Sequence, residues 1–177
     1  MIQLASKYEK NVRYTGYDVF DTKNSSWHKI VGNGKQVASK EEIEGRLNML
    51  TSNISLIEGM TSETLWLNPK KADYVWLDGD HRVDAIQKDF EAVKKSKVIV
   101  FDDFYVNGEH GGFTIDKFGC NKIVETLDKD QIFISPETKK FPNIRIVFWS
   151  KDKSIIKNLK YYLTDMNNMK EYLSKNK

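Results

Sequence analysis

Two short apolar runs, ADYVWLD at 72–78 and KVIVFDD at 97–103, both end in aspartates, with a helical stripe between them. Val83, Ile86, Phe90 and Val93 recur at the spacing of one helix face. Strand, helix and strand in that order form a crossover unit, which joins parallel neighbours. Strands apolar along their whole length suit a sheet covered on both faces. In such sheets the ligand crevice lies beyond the carboxyl ends of the strands. Asp78, Asp102 and Asp103 are therefore expected to converge on one edge.

The rest of the chain fits this pattern. A short helix is expected at 2–9, with Ile2, Leu4 and Ala5 on its apolar side. NVRYTGYD (11–18) reads as a strand that also ends in an acid, Asp18. The stretch 22–38 is rich in Gly, Asn and Ser and too long for a plain connection; loops of that kind are usually functional or disordered. Ser39 and Glu42 have capping-box spacing, and Ile43, Leu47 and Leu50 follow at helical intervals. NISLIEG (53–59) is a strand that breaks at glycine, and a second Gly-rich loop, VNGEHGGFTIDKF, leads to a helix near 119–128. QIFIS (131–135) and NIRIVFWS (143–150) form a closing pair of strands. The tail, 152–177, is helical, with Ile155, Ile156, Leu159, Leu163 and Met166 on its packed side. The expectation is a single α/β domain over 1–177, a mostly parallel sheet with helices on both faces and an acidic rim.

Composition narrows the function classes. The chain has 40% hydrophobic and 30% charged residues, as globular domains do. A net charge of +3 is too small to imply nucleic acid, and it is concentrated: residues 151–177 carry seven lysines against three acids. No apolar stretch approaches the roughly 18–20 residues of a membrane span. One cysteine, Cys120, precludes an internal disulfide and fits the cytoplasm.

Parallel neighbours lie about 4.8 Å apart, so acids at their carboxyl ends crowd one another. Carboxylates this close raise one another's pKa unless a cation joins them, and oxygen ligands suit Mg²⁺ or Ca²⁺. Successive strand residues face opposite ways, so Asp102 and Asp103 can both ligate only where the strand has already turned. Taken singly, the residues have ordinary readings: Asp80 as a helix N-cap, His81 as a first-turn surface residue, Asp18 as a strand-end turn residue. Their shared edge favours the functional reading.

DYVWLDGDHRVDAIQKDF followed by KVIVFDDFY resembles class I S-adenosylmethionine-dependent methyltransferases, most closely the metal-dependent O-methyltransferases of the macrocin and novobiocin type. The DGDH and VIVFDD motifs carry the resemblance; over 2–150 only the order of elements agrees. It implies a Rossmann-like, doubly wound sheet with strand order 3-2-(1 absent)-4-5-7-6 in the family's strand numbering. Asp78, Asp102 and Asp103 would hold a divalent cation such as Mg²⁺, and Asp80 or His81 would supply the general base. Asp18 would hold the ribose of S-adenosylmethionine and Gly59, Met60 and Thr61 would lie against its adenine, with Asp78 also on the cofactor side. The implied reaction is metal-assisted methyl transfer to the hydroxyl of a small molecule or sugar. Trp27, His28, Glu109 and His110 are candidate substrate-facing groups.

The family's first strand and glycine-rich loop have no counterpart ahead of the helix expected at 2–9. The expectation is therefore of a truncated chain, of a homo-oligomer or partner chain that supplies the segment, or of a closed-up sheet that binds the cofactor poorly. Two rival functions stand beside the methyltransferase. One is a degenerate, non-catalytic domain of the same fold. The other is a nucleotide-sugar glycosyltransferase, whose metal motif is also hydrophobic-Asp-x-Asp.

Overall fold

The structure, a computed structural model, describes residues 11–20, 38–137 and 142–163. The expected helix at 2–9, the loop bearing Trp27 and His28, and the tail beyond 163 with Met166 lie outside the described residues. The protein is mixed α/β, with both parallel and antiparallel strand pairs, and divides into two compact units, Met1–Pro69 and Lys70–Lys177.

In the first unit β1 (Arg13–Asp18) and β2 (Asn53–Glu58) pair in parallel, with Asp18 opposite Glu58. Helix α1 (Lys40–Asn48) connects them. Its N-cap is Ser39, whose hydroxyl accepts the Glu42 N–H at 3.2 Å, as the capping-box spacing requires. Leu50 falls beyond the end of the helix and is exposed, so the expected stripe is one residue shorter.

In the second unit a four-stranded sheet has the order β3-β4-β8-β7, built from β3 (Tyr74–Leu77), β4 (Val98–Tyr105), β7 (Ile132–Ile134) and β8 (Ile144–Trp149). Helix α2 (Val83–Val93) makes the crossover from β3 to its parallel neighbour β4. β8 runs antiparallel to both β4 and β7. The connection from β7 to β8 is too short for a crossover, so the closing pair is a hairpin and the sheet is less parallel than expected. Ile99, Val100 and Phe101 of β4 are wholly buried, and Phe90 of α2 packs its ring against Phe101 and Trp149 at 5.4 and 5.1 Å. β3 behaves differently. It ends the strand order, and Tyr74 and Trp76 remain 39% and 37% exposed, so its faces are not both covered. An apolar run does not distinguish an edge strand from a central one.

Between β4 and β7 the Gly-rich stretch forms a small hairpin, β5 (Glu109–His110) with β6 (Phe113–Thr114). Gly111 and Gly112 both have positive φ, the conformation of a type I′ turn, which glycine adopts without strain. The following helix, α3, is only Asn121–Glu125. Residues 153–163 form the last described helix, with Ile156 fully buried. Among the described residues no helix is long and apolar enough to cross a membrane.

Candidate functional site

β4 does not end at its acids; it bends there. Its pairing with β8 shifts register between Phe101 and Phe104, a bulge that leaves Asp102 and Asp103 out of step with the pleat. Asp103 takes a left-handed conformation with φ of 55°, uncommon for a residue other than glycine. The bulge supplies the turn that two adjacent acids need to serve one site.

Just past the end of β3, Asp78 lies close enough to Asp102 for its charge to act on that carboxyl. Burial first, and then the charge of Asp78, push the Asp102 carboxyl up to about 6. His81 lies beside this pair. Its Nδ1 is 2.6 Å from Asp103 Oδ2, and its Nε2 stands 3.6 Å from Asp78 Oδ1, beyond hydrogen-bond length. The Asp103 hydrogen bond raises the imidazole's pKa; burial opposes it, and the charges of Asp103, Asp78 and Asp102 add to the rise. Burial acts to raise Asp103 in turn, but the His81 hydrogen bond and charge, with the Tyr105 hydroxyl, hold it below the usual carboxylate range.

Asp80 is engaged elsewhere. Both of its oxygens accept the Arg82 guanidinium, at 2.5–3.0 Å, and Oδ1 also accepts the Arg82 backbone N–H at 3.0 Å. Burial works against it, yet the Arg82 hydrogen bonds and charge hold this carboxyl below its ordinary range. The N-cap of α2 is Arg82, so Asp80 forms a local turn instead of capping the helix.

A segment that the sequence reading passed over holds the site together. Gly119 N–H donates to His81 O at 2.8 Å, Cys120 N–H to Asp103 O at 3.1 Å, and Val83 N–H to Lys117 O at 3.0 Å. Residues 117–120 thus tie the loop after β3 to the bulge in β4. Gly119 has φ of 80°, and a Cβ there would lie 2.6 Å from Asp103 O, so only glycine fits. Buried Asn121 then holds both backbone groups of Tyr105, accepting its N–H at 2.9 Å and donating to its carbonyl at 3.0 Å. The GCN run after the Gly-rich loop was the available signal. The hairpin lies close by: the His110 ring is 5.9 Å from that of Tyr105, and Glu109 and His110 are both exposed.

In the first unit four of the five cofactor candidates are brought together; the fifth, Asp78, belongs to the second unit. Asp18 O accepts the Gly59 N–H at 3.0 Å, and Asp18 Oδ1 accepts the N–H of Phe20 at 3.0 Å. Gly59 has φ of 131° and opens a tight turn in which the Met60 and Thr61 carbonyls accept N–H groups from residues 63–66.

The donor set in the second unit fits a hard cation. Two neighbouring carboxyls, one driven toward its neutral form, are what such an ion relieves, and Mg²⁺ is often held by one or two carboxylates with waters completing its shell. Among the described residues no group of three or more His, Cys, Asp or Glu side chains is arranged to hold a metal, Asp103 being turned onto His81. Compared with protein-family models, with curated proteins and with solved structures, the chain finds no match in any of the three.

Proposed function

We propose that the chain is an S-adenosylmethionine-dependent O-methyltransferase domain that acts on a small-molecule or sugar hydroxyl with help from a divalent cation. The observation that carries this reading is the meeting of Asp78, His81, Asp102 and Asp103 at the carboxyl ends of two adjacent parallel strands. Taken separately, each sheet also has the neighbours that the expected strand order gives: β1 beside β2, and β3-β4-β8-β7. That agreement supports a doubly wound, Rossmann-like ancestry. The cytoplasmic assignment rests on the single cysteine.

Asp78 and Asp102 would hold the cation, which supplies Lewis acidity that lowers the pKa of an acceptor hydroxyl. His81 is the better placed base. Its Nδ1 is occupied by Asp103, so in the neutral ring Nε2 carries the lone pair and faces the Asp78–Asp102 pair. Asp80, held by Arg82 and kept ionised, is a weaker acceptor of a proton. Most of the acceleration would come from holding the acceptor oxygen in line with the methyl group. Asp18 and the 59–61 turn would take the ribose and adenine.

A thermal-shift screen tests this reading. S-adenosylmethionine with Mg²⁺ should raise the melting temperature above that in Mg²⁺ alone, because a ligand of the native state stabilises by mass action. UDP-sugars with Mg²⁺ should add nothing to the response to Mg²⁺ alone. A response to UDP-sugars alone would move the assignment to the glycosyltransferase class.

A further inference from the structure

Tyr105 is buried, only 3% exposed, yet its hydroxyl donates to a carboxylate at the rim of the acidic site. The acceptor is Asp103 Oδ2, at 3.1 Å, the same oxygen that takes His81 Nδ1 at 2.6 Å. Asp103 itself stands on a bulge in a left-handed conformation, where the strand ladder does not fix its direction. Two donors converging on one oxygen fix the orientation of the carboxylate. Tyr105 is fixed in turn, since the Asn121 side chain occupies both its N–H and its carbonyl. A rigid path therefore runs from α3 through Asn121, Tyr105 and Asp103 to the imidazole.

We infer that Tyr105 is a positioning residue: its hydroxyl holds Asp103 on His81 Nδ1 and so keeps the His81 Nε2 lone pair directed at the Asp78–Asp102 pair. The importance of that lone pair rests on the methyltransferase reading; the hydrogen-bonded chain does not. Partners of this kind select the imidazole tautomer and ring orientation. The substitution Tyr105→Phe keeps the ring and removes only the donor. Asp103 would then keep only His81, and its carboxylate would be free to rotate.

The test is the tautomer ratio of His81, read from ¹⁵N shifts of the imidazole on the alkaline plateau of its own titration curve. The wild type should be dominated by the form with the proton on Nδ1. Tyr105→Phe should move the tautomer constant toward the other form by about 2–10-fold, part of the worth of one hydrogen bond to a charged acceptor. Asp103→Asn should move it at least as far, and adding Tyr105→Phe to Asp103→Asn should change nothing further, because Tyr105 acts through Asp103. Incorporating 2,3-difluorotyrosine at position 105, a stronger donor of the same shape, should move the constant the opposite way and covers the case in which Tyr105→Phe folds poorly. A tautomer constant unmoved by both changes at position 105, or a full additional shift on the Asp103→Asn background, would overturn the inference. The measurement needs neither cofactor nor acceptor. Whether S-adenosylmethionine stabilises the same samples tells failure of the functional reading from failure of this one.

Discussion

Asp102 is part-buried beside the charge of Asp78, and that setting determines how the site behaves without a cation. Asp102 has its folded pKa raised to about 6, so its ionisation costs stability, and the cost appears as pH rises from about 4 to above 6. His81, also raised, contributes stability that is fully present below its unfolded value of about 6.5 and lost as pH climbs through the folded one. In chelator, Asp102→Asn should therefore gain on the wild type steadily between pH 4 and pH 7, as measured by denaturant unfolding. An advantage that stays flat or shrinks with pH would mean that neither burial nor the charge of Asp78 holds the Asp102 carboxyl up in solution. At this scale much of the site was legible. Asp78, His81, Asp102 and Asp103 all follow from apolar runs ending in acids. Tyr105 was not legible, because a Tyr two residues past a pair of acids looks ordinary until the chain folds it against them, and Asn121 was signalled only by the GCN run. The competition between Asp80 and His81 could not be decided from spacing either. It turns on Arg82, whose guanidinium grips Asp80.

Among the elements, the segment 117–121 does what neither β3 nor β4 can do alone. It bonds the loop after one strand to the bulge of the next, so the distance from His81 to Asp103 is set by backbone. Gly119→Ala should destabilise by about 1–3 kcal/mol, from a left-handed φ combined with a Cβ 2.6 Å from Asp103 O. Asn121→Ala strips two buried backbone partners from Tyr105 and should cost about 1–3 kcal/mol for each group left unpaired. Both values are readable from denaturant midpoints. Losses under about 0.5 kcal/mol, as at ordinary surface positions, would show that the clamp is slack. Strands and helices were largely readable because their periodicities are local: the Ser39 cap, the α2 stripe and the β4 run all stand where they were expected. Three features escaped. β8 runs antiparallel, β3 is half exposed, and the glycines after Asn107 make a hairpin instead of a loop. Strand direction and edge position depend on which neighbour a strand finds, which no window of sequence records. The hairpin did carry a local sign, two consecutive glycines flanked by short pairing residues.

At the scale of the molecule, the mixed α/β class follows from the alternation of apolar runs and helical stripes, whereas the order of strands within each sheet was an expectation of the family resemblance. The acidic site sits wholly within the second unit, so its cation chemistry can be tested without reference to the first. The most direct measurement is thermal unfolding in chelator and then in excess Mg²⁺, for the wild type and for Asp78→Asn. A ligand present at about ten times its dissociation constant stabilises the native state by about 1.4 kcal/mol, which is about 2–6 °C for a chain of this size. The expected result is a rise of that order in the wild type and none in Asp78→Asn, whatever the variant's own midpoint. No rise in the wild type, or an equal rise in Asp78→Asn, would contradict a cation site at the Asp78–Asp102 pair.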